Sequence, residues 1–149
     1  MGRCVALVIV GLTAASTYAN AAAHGSQDPF AVAGLTRPEV TLVLSELQTA
    51  VASGDAARVS KLVQFPLTVN GKPGPKNPRE FIRDFDTVFT DVVRAAVLKQ
   101  SVERLFANWR GLMIGRGEVW LSGICDHGSS PDTCENSRIL VISINNNSR

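Results

Sequence analysis

The hydrophobic period of the chain changes from helical to extended near residue 100, and this change limits the folds it can adopt. Before residue 100, apolar residues recur mainly three and four positions apart, as on one face of an α-helix. From Val102 onward they alternate with polar residues, as in half-buried β-strands. Helices followed by a run of paired strands are typical of an α+β domain, in which the helices cover one side of a sheet.

Four helices are predicted before residue 100, and each begins at a residue that caps helices well. The segment Thr36–Glu39 has the form of a capping box, with proline in the first turn and the acid three residues after the hydroxyl. Its helix ends at Gly54, and Asp55 begins a second, shorter helix. Asn77 begins the third helix and Thr90 begins the fourth.

One strand is predicted among the helices and four after them. Phe65–Val69 is an apolar stretch that contains a proline, and Asn70-Gly71 is a strong turn signal, with a loop that continues through Lys76. Short glycine-containing connections between the later strands predict antiparallel neighbours. The later strands are Val102–Trp109, Leu112–Gly115, Glu118–Cys125 and Arg138–Asn145. The expected fold is therefore α+β, with N-terminal helices packed on an antiparallel sheet.

The first 23 residues have the composition of a secretory signal peptide. Arg3 is the only charged residue before Asp28, and it precedes the apolar run Cys4–Leu12. Ala19-Asn20-Ala21 fits the cleavage rule, and Ala21–Ala23 is a second option. The alternative, a membrane anchor, needs about 20 apolar residues, and this run has roughly half that number. The expected organisation is a signal peptide over 1–21, cleaved near Ala21, a flexible linker over 22–34 and one α+β domain over 35–149, which together predict a periplasmic or secreted protein.

Cleavage at that site would leave Cys125 and Cys134 as the cysteines of the mature chain. Two thiols close in sequence in an oxidising compartment favour a disulfide over a redox or metal site. The alternative is a metal site with His127 as a third ligand, but no fourth ligand stands at a standard spacing. We therefore expect a disulfide between Cys125 and Cys134 and no metal ion.

The charge balance argues against a nucleic-acid partner. The formal net charge is +2, and the basic residues form no long run that could follow a phosphate backbone. A small-molecule ligand or an exported protein partner remains compatible with this balance, and the sequence predicts neither a stable membrane anchor nor an oligomeric state.

The order of elements resembles that of the nuclear transport factor 2-like superfamily, in which a strongly curved sheet wraps around helices to form a cone with a pocket. The segment from Asp55 to Asn145 also resembles small secreted bacterial proteins of unknown function with that fold. The resemblance implies a cone but no single activity, because the superfamily contains isomerases, dehydratases, binding modules and immunity-type proteins. It is carried by Phe65–Val69, Glu80–Phe89 and Gly111–Trp120.

Ketosteroid-isomerase-like members of that superfamily use an acidic base opposite acidic or phenolic donors, inside an apolar pocket. The single tyrosine, Tyr18, lies in the predicted signal peptide. Asp84 and Asp86 flank Phe85 on a helix with an inward apolar stripe, so solvated positions are expected for both, and Asp91 is a third candidate. No catalytic residue and no cofactor are predicted from these positions.

The strand that begins at Glu118 carries the most informative candidates for ligand binding. Alternation places Glu118 and Trp120 on one face, where a carboxylate and an indole could bind a ligand through a charge-assisted bond and stacking. In the alternative, Trp120 belongs to the core and Glu118 pairs across the sheet with Arg104 or Arg138. Trp109, at a predicted hairpin end, either contacts a partner or closes the core. The candidate ligand-binding residues are thus Glu118, Trp120, Trp109 and Arg104.

Together these features favour an exported, non-enzymatic module that binds a small molecule or a protein partner. One alternative is an isomerase- or dehydratase-like enzyme that uses an acidic residue as proton acceptor in the cone. Another is an inhibitor or immunity protein for a second exported enzyme.

The disulfide can be tested by mass. The exported protein is expected to be lighter than its reduced form by about two hydrogen masses, because one bridge removes one hydrogen from each thiol. Intact-mass spectrometry with and without reductant measures the difference, and two freely alkylated thiols in the unreduced protein would rule the bridge out.

Overall fold

Five helices and six strands lie within residues 28–125 and 137–147, the part of the chain that the computed structural model describes. Two short 3-10 helices, Pro29–Ala33 and Val102–Arg104, accompany them. The helices are α1 (Arg37–Ala52), α2 (Ala56–Ser60), α3 (Pro78–Arg83), α4 (Phe85–Val88) and α5 (Asp91–Lys99). The strands are β1 (Val63–Val69), β2 (Lys72–Pro73), β3 (Phe106–Asn108), β4 (Gly111–Ile114), β5 (Val119–Cys125) and β6 (Ser137–Ile144).

The predicted helix starts are confirmed, and most have the predicted caps. At the start of α1, the Glu39 carboxylate accepts hydrogen bonds from the hydroxyl and backbone N–H of Thr36, which lower the pKa of Glu39. Asp55 caps α2 through the N–H of Arg58 at 2.9 Å. Thr90 precedes α5 as predicted, but its side chain makes no capping hydrogen bond.

The α+β class is confirmed, whereas the prediction of a purely antiparallel sheet is wrong. The strand order is β2-β1-β6-β5-β4-β3, and β1 runs parallel to β6. The other neighbouring pairs are antiparallel. The sheet is mixed because β1 is separated from β6 by three helices and the strands of the C-terminal half, so no hairpin fixes their relative direction.

Two strand boundaries differ from the prediction because local hydrogen bonds decide them. The strand expected over Val102–Trp109 begins only at Phe106, since the N–H groups of Arg104 and Leu105 bond back three residues and form a 3-10 turn. The expected loop after the Asn70-Gly71 turn instead contains β2, because positive φ angles at both turn residues close a tight hairpin.

The structure also differs from the predicted linker over 22–34 where that segment is described. Pro29–Ala33 forms a 3-10 helix, and the Phe30 side chain is completely buried. Small and polar composition predicted a flexible arm, but one phenylalanine in the core is enough to order this turn. Residues 22–27 and the predicted signal peptide lie outside the described residues. Among those described, no helix has the length and apolar character to cross a membrane.

A group of phenylalanines joins α3 and α4 to the sheet. Phe81 is completely buried, and its ring makes edge contacts with Phe65, Phe85 and Phe89 at centroid distances of 5.9, 5.7 and 5.9 Å. Such contacts add to the free energy of burial, so this group is a principal source of stability for the helical layer.

Replacement of Phe81 by alanine is expected to lower the free energy of unfolding by about 3–5 kcal/mol, because it removes a buried ring from three aromatic contacts. Urea denaturation measures the loss. Ile82 is the matched control, since it follows in the same helix but is 43% exposed, and its replacement by alanine should cost about 0.5 kcal/mol or less. Equal losses in the two variants would contradict this account of the core.

Candidate functional site

Helix α5 has one face that packs on the core and a second face that lines a cleft. Val93 and Val97 are completely buried and fix the helix to the core. The side chains at positions 92, 95, 96 and 99 form a second face, because residues three and four apart lie together on a helix. This second face is mostly small and apolar but ends in a lysine; it consists of Val92, Ala95, Ala96 and Lys99.

The turn between β4 and β5 faces this side of α5. Gly115 and Gly117 have positive φ angles, which reverse the chain within a few residues. The Glu118 carboxylate folds back into the turn, where its Oε2 accepts a hydrogen bond from the N–H of Arg116 at 2.5 Å. The backbone oxygen of Glu118 accepts a second bond, from the N–H of Asn145 at 2.8 Å. Glu118 therefore joins the turn to the end of β6.

The C-terminal end of α5 is held by bonds from α1 and from the turn. The Gln48 side chain donates to the carbonyl oxygens of Val97 and Gln100 at 2.9 and 2.8 Å. The Gln100 side-chain oxygen accepts a bond from the N–H of Gly115 at 2.9 Å. Arg104 donates to the carbonyl oxygen of Lys99 at 2.9 Å, which places a cation at the negative end of the helix dipole.

Together, the second face of α5, the residues that follow it and the turn enclose a cleft of about 420 Å³, which we call the α5 cleft. Three cationic side chains line it with one carboxylate. The complete lining is Val92, Ala95, Ala96, Lys99, Gln100, Arg104, Gly115, Arg116 and Glu118.

Glu118 lies at the base of the α5 cleft and is only 4% exposed, whereas Lys99, Arg104 and Arg116 are exposed. No described residue donates a hydrogen bond to its second oxygen, Oε1. Oε1 is not fully enclosed by the protein, so it can be reached from the cleft. A buried carboxylate oxygen that is still accessible from a cleft can accept a hydrogen bond from a ligand.

The structure brings together two of the four predicted ligand-binding residues, Glu118 and Arg104. The Glu118 carboxylate turns back to its own hairpin and forms no ion pair with Arg104 or Arg138 in the described part of the chain. The predicted cross-strand ion pair is therefore wrong. Lys99 and Arg116 were not predicted. The helical spacing of residues 92, 95, 96 and 99 indicates that Lys99 shares a helix face with three apolar residues. It does not indicate which turn of the sheet packs beside that face.

Trp120 does not line the α5 cleft with Glu118. Glu118 precedes β5 and belongs to the turn, where strand alternation does not apply. Trp120 lines a separate cleft of about 240 Å³ with Arg110 and Ile142 among its neighbours. Trp109 is 75% exposed, and the guanidinium of Arg110 lies 4.9 Å from the centroid of its ring. Trp109 therefore does not close the core.

The aspartates that were considered as catalytic bases lie outside the α5 cleft. Asp84 accepts two hydrogen bonds from Arg83, both at 2.8 Å, and these bonds lower the pKa of the Asp84 carboxyl. The Asp86 and Asp91 side chains are 90% and fully exposed, and both face Arg94. Asp84 lines a separate cleft of about 590 Å³, but its carboxylate is paired with Arg83. Isomerase chemistry needs a carboxylate in an apolar pocket without such a partner.

Cys125 is the last residue of β5, while Cys134 and His127 lie outside the described residues. The predicted disulfide and its metal alternative therefore both remain predictions. Within 28–125 and 137–147, no group of three or more His, Cys, Asp or Glu side chains could hold a metal ion.

Comparisons with protein-family models, with curated proteins and with solved structures gave no match. The described residues define the protein as an α+β protein with a mixed six-stranded sheet.

Replacement of Gly115 by alanine tests the packing that forms the base of the cleft. Gly115 and Gly54 have almost the same φ, +67° and +66°, but a Cβ at Gly115 would collide with the Glu118 carboxylate, while a Cβ at Gly54 would meet open space. Gly54→Ala is expected to cost about 1 kcal/mol for its left-handed backbone. Gly115→Ala should cost at least about 1 kcal/mol more, because the carboxylate must move. Urea denaturation measures both, and equal losses would contradict the described position of Glu118.

Proposed function

We propose that this protein is an exported, non-enzymatic binding module that takes a small anionic molecule in the α5 cleft. The observation that carries the proposal is the convergence of Lys99, Arg104 and Arg116 on one concave surface. Elsewhere in the described chain, Arg83 and Arg94 form ion pairs with aspartates. The three cations of the cleft have no such partner among the described residues, and their charge is available to a ligand.

The chemistry of the lining favours a small anion as the ligand over a large surface of a partner. Arginine presents planar donors that match carboxylate and phosphate oxygens, and lysine adds a flexible charge. Val92 and Ala95 supply an apolar wall on one side. Concave sites of this size with a few polar groups are typical of small-molecule binding.

Export and the disulfide are part of the same proposal. The register of β5 and β6 places Cys125 opposite Ser137, three residues after Cys134 in the sequence. Strand pairing therefore holds the two ends of the intervening segment together, which supports a bridge between Cys125 and Cys134. The cone of the nuclear transport factor 2-like superfamily is likewise proposed as the finer form of the fold, supported by the helices that cover one face of the sheet.

A second candidate is an isomerase- or dehydratase-like enzyme, and the buried carboxylate of Glu118 favours it over a purely structural protein. A proton acceptor of that kind needs an apolar pocket with a donor for the developing oxyanion. The lining of the α5 cleft contains three cations in addition to Glu118, and binding of an anionic ligand explains this lining more fully.

Binding can be tested with succinate, a small dianion. Succinate is expected to shift the backbone amide resonances of α5 and of residues 115–118 in ¹H–¹⁵N NMR spectra. Replacement of Arg116 by glutamine should weaken the binding about tenfold, because it removes one charge-assisted interaction.

Arg79 is the matched control, because it is exposed on α3 and does not line the α5 cleft. Arg79→Gln removes the same charge and should leave the binding constant unchanged. Equal weakening in both variants would show that succinate responds only to net charge, and shifts confined to other surfaces would reject the α5 cleft as the site.

A further inference from the structure

The Glu118 carboxylate restricts the class of ligand that the α5 cleft can take. A buried carboxylate at the base of the cleft weakens the binding of a simple anion, because its charge repels the anion. We infer that the ligand is a small zwitterion of the acidic amino-acid type, in which an ammonium group binds Glu118 and two negative groups bind the cationic rim. This inference rests on the proposed function and specifies the ligand of the same site.

The hydrogen bonds of Glu118 support a role for the carboxylate beyond holding the turn. Among the described residues, only the N–H of Arg116 donates a hydrogen bond to this carboxylate, and it does so to Oε2. Oε1 has no partner among the described residues, although the residue is only 4% exposed. Oε1 is not fully enclosed and stays accessible from the cleft, so a ligand ammonium can donate to it and add a favourable charge-assisted hydrogen bond.

The charges of the lining match this class of ligand. Among the described residues, the cleft is lined by the three cations Lys99, Arg104 and Arg116 and by one carboxylate, that of Glu118, so its net charge is positive. A molecule with one ammonium and two carboxylates can place its cation at the base and its two anions at the rim, where two of the three cations can each meet one carboxylate. Charge complementarity of this kind selects the ligand against molecules that lack either sign.

The test compares L-aspartate with succinate, which has the same two carboxylates but no ammonium group. Wild-type protein is expected to bind L-aspartate at least about tenfold more tightly than succinate, because only L-aspartate can pair with Glu118. Isothermal titration calorimetry measures both constants, and competition in ¹H–¹⁵N NMR spectra shows whether the two ligands share the α5 cleft.

The variant Glu118→Gln isolates the charge. A glutamine carbonyl can still accept the bond from the N–H of Arg116, so the turn should be kept, and urea denaturation checks that the variant is folded. The preference for L-aspartate should be lost in this variant, and succinate should bind more tightly than it does to wild-type protein, because the repulsion at the base has gone. Arg116→Gln should weaken the binding of L-aspartate and of succinate by a similar factor.

The outcomes separate this inference from the proposed function. If wild-type protein binds succinate as tightly as L-aspartate, the zwitterion is rejected and the anion site stands. If neither molecule perturbs α5 or the turn, the proposed site itself is rejected. The wild-type comparison decides the first point even if Glu118→Gln does not fold.

Discussion

The hydrogen bond between the Glu118 carboxylate and the N–H of Arg116 is the constraint on which the candidate site depends. It draws an acidic side chain under its own hairpin turn and buries it next to α5. Because Gly115 has no side chain, the carboxylate can occupy the space where a Cβ would lie. The same bond points the backbone of Arg116 towards the carboxylate while its side chain stays at the exposed edge of the cleft.

The position of α5 relative to this turn follows from bonds that cross the fold. Gln48 on α1 binds carbonyl oxygens at the end of α5, and Gln100 binds the turn through Gly115. Hydrogen bonds therefore connect α1 to the end of α5, and connect the residue after α5 to the turn between β4 and β5. Binding residues that lie on a helix end and a tight turn are held in this way more rigidly than residues on a long loop.

Local features of the fold were predictable from the sequence, whereas its long-range pairing was not. The helix starts at Thr36, Asp55 and Asn77 have caps within three residues, so a short window contains all the necessary information. The parallel pairing of β1 with β6 joins residues more than seventy positions apart and has no local signature. The 3-10 turn at Val102–Arg104 was missed because its apolar and polar residues also fit strand alternation.

The candidate site was predictable to the same limited degree. Arg104 and Glu118 are predictable as chemically suitable residues, but the prediction that Glu118 shares a face with Trp120 assumes that strand alternation includes Glu118, which lies in the turn. Lys99 and Arg116 belong to the site only because a helix end meets a hairpin in three dimensions. The type of chemistry can be read from residue identity, while the composition of a site depends on the tertiary contacts that assemble it.

Native mass spectrometry of the protein, purified gently from the cells that produce it, is the decisive measurement for ligand binding in the α5 cleft. We expect a fraction of the protein to carry the added mass of one small molecule, and dissociation of that molecule on mild activation should yield an anion. A stable one-to-one complex with another protein, with no small-molecule adduct, would contradict a module built around the α5 cleft.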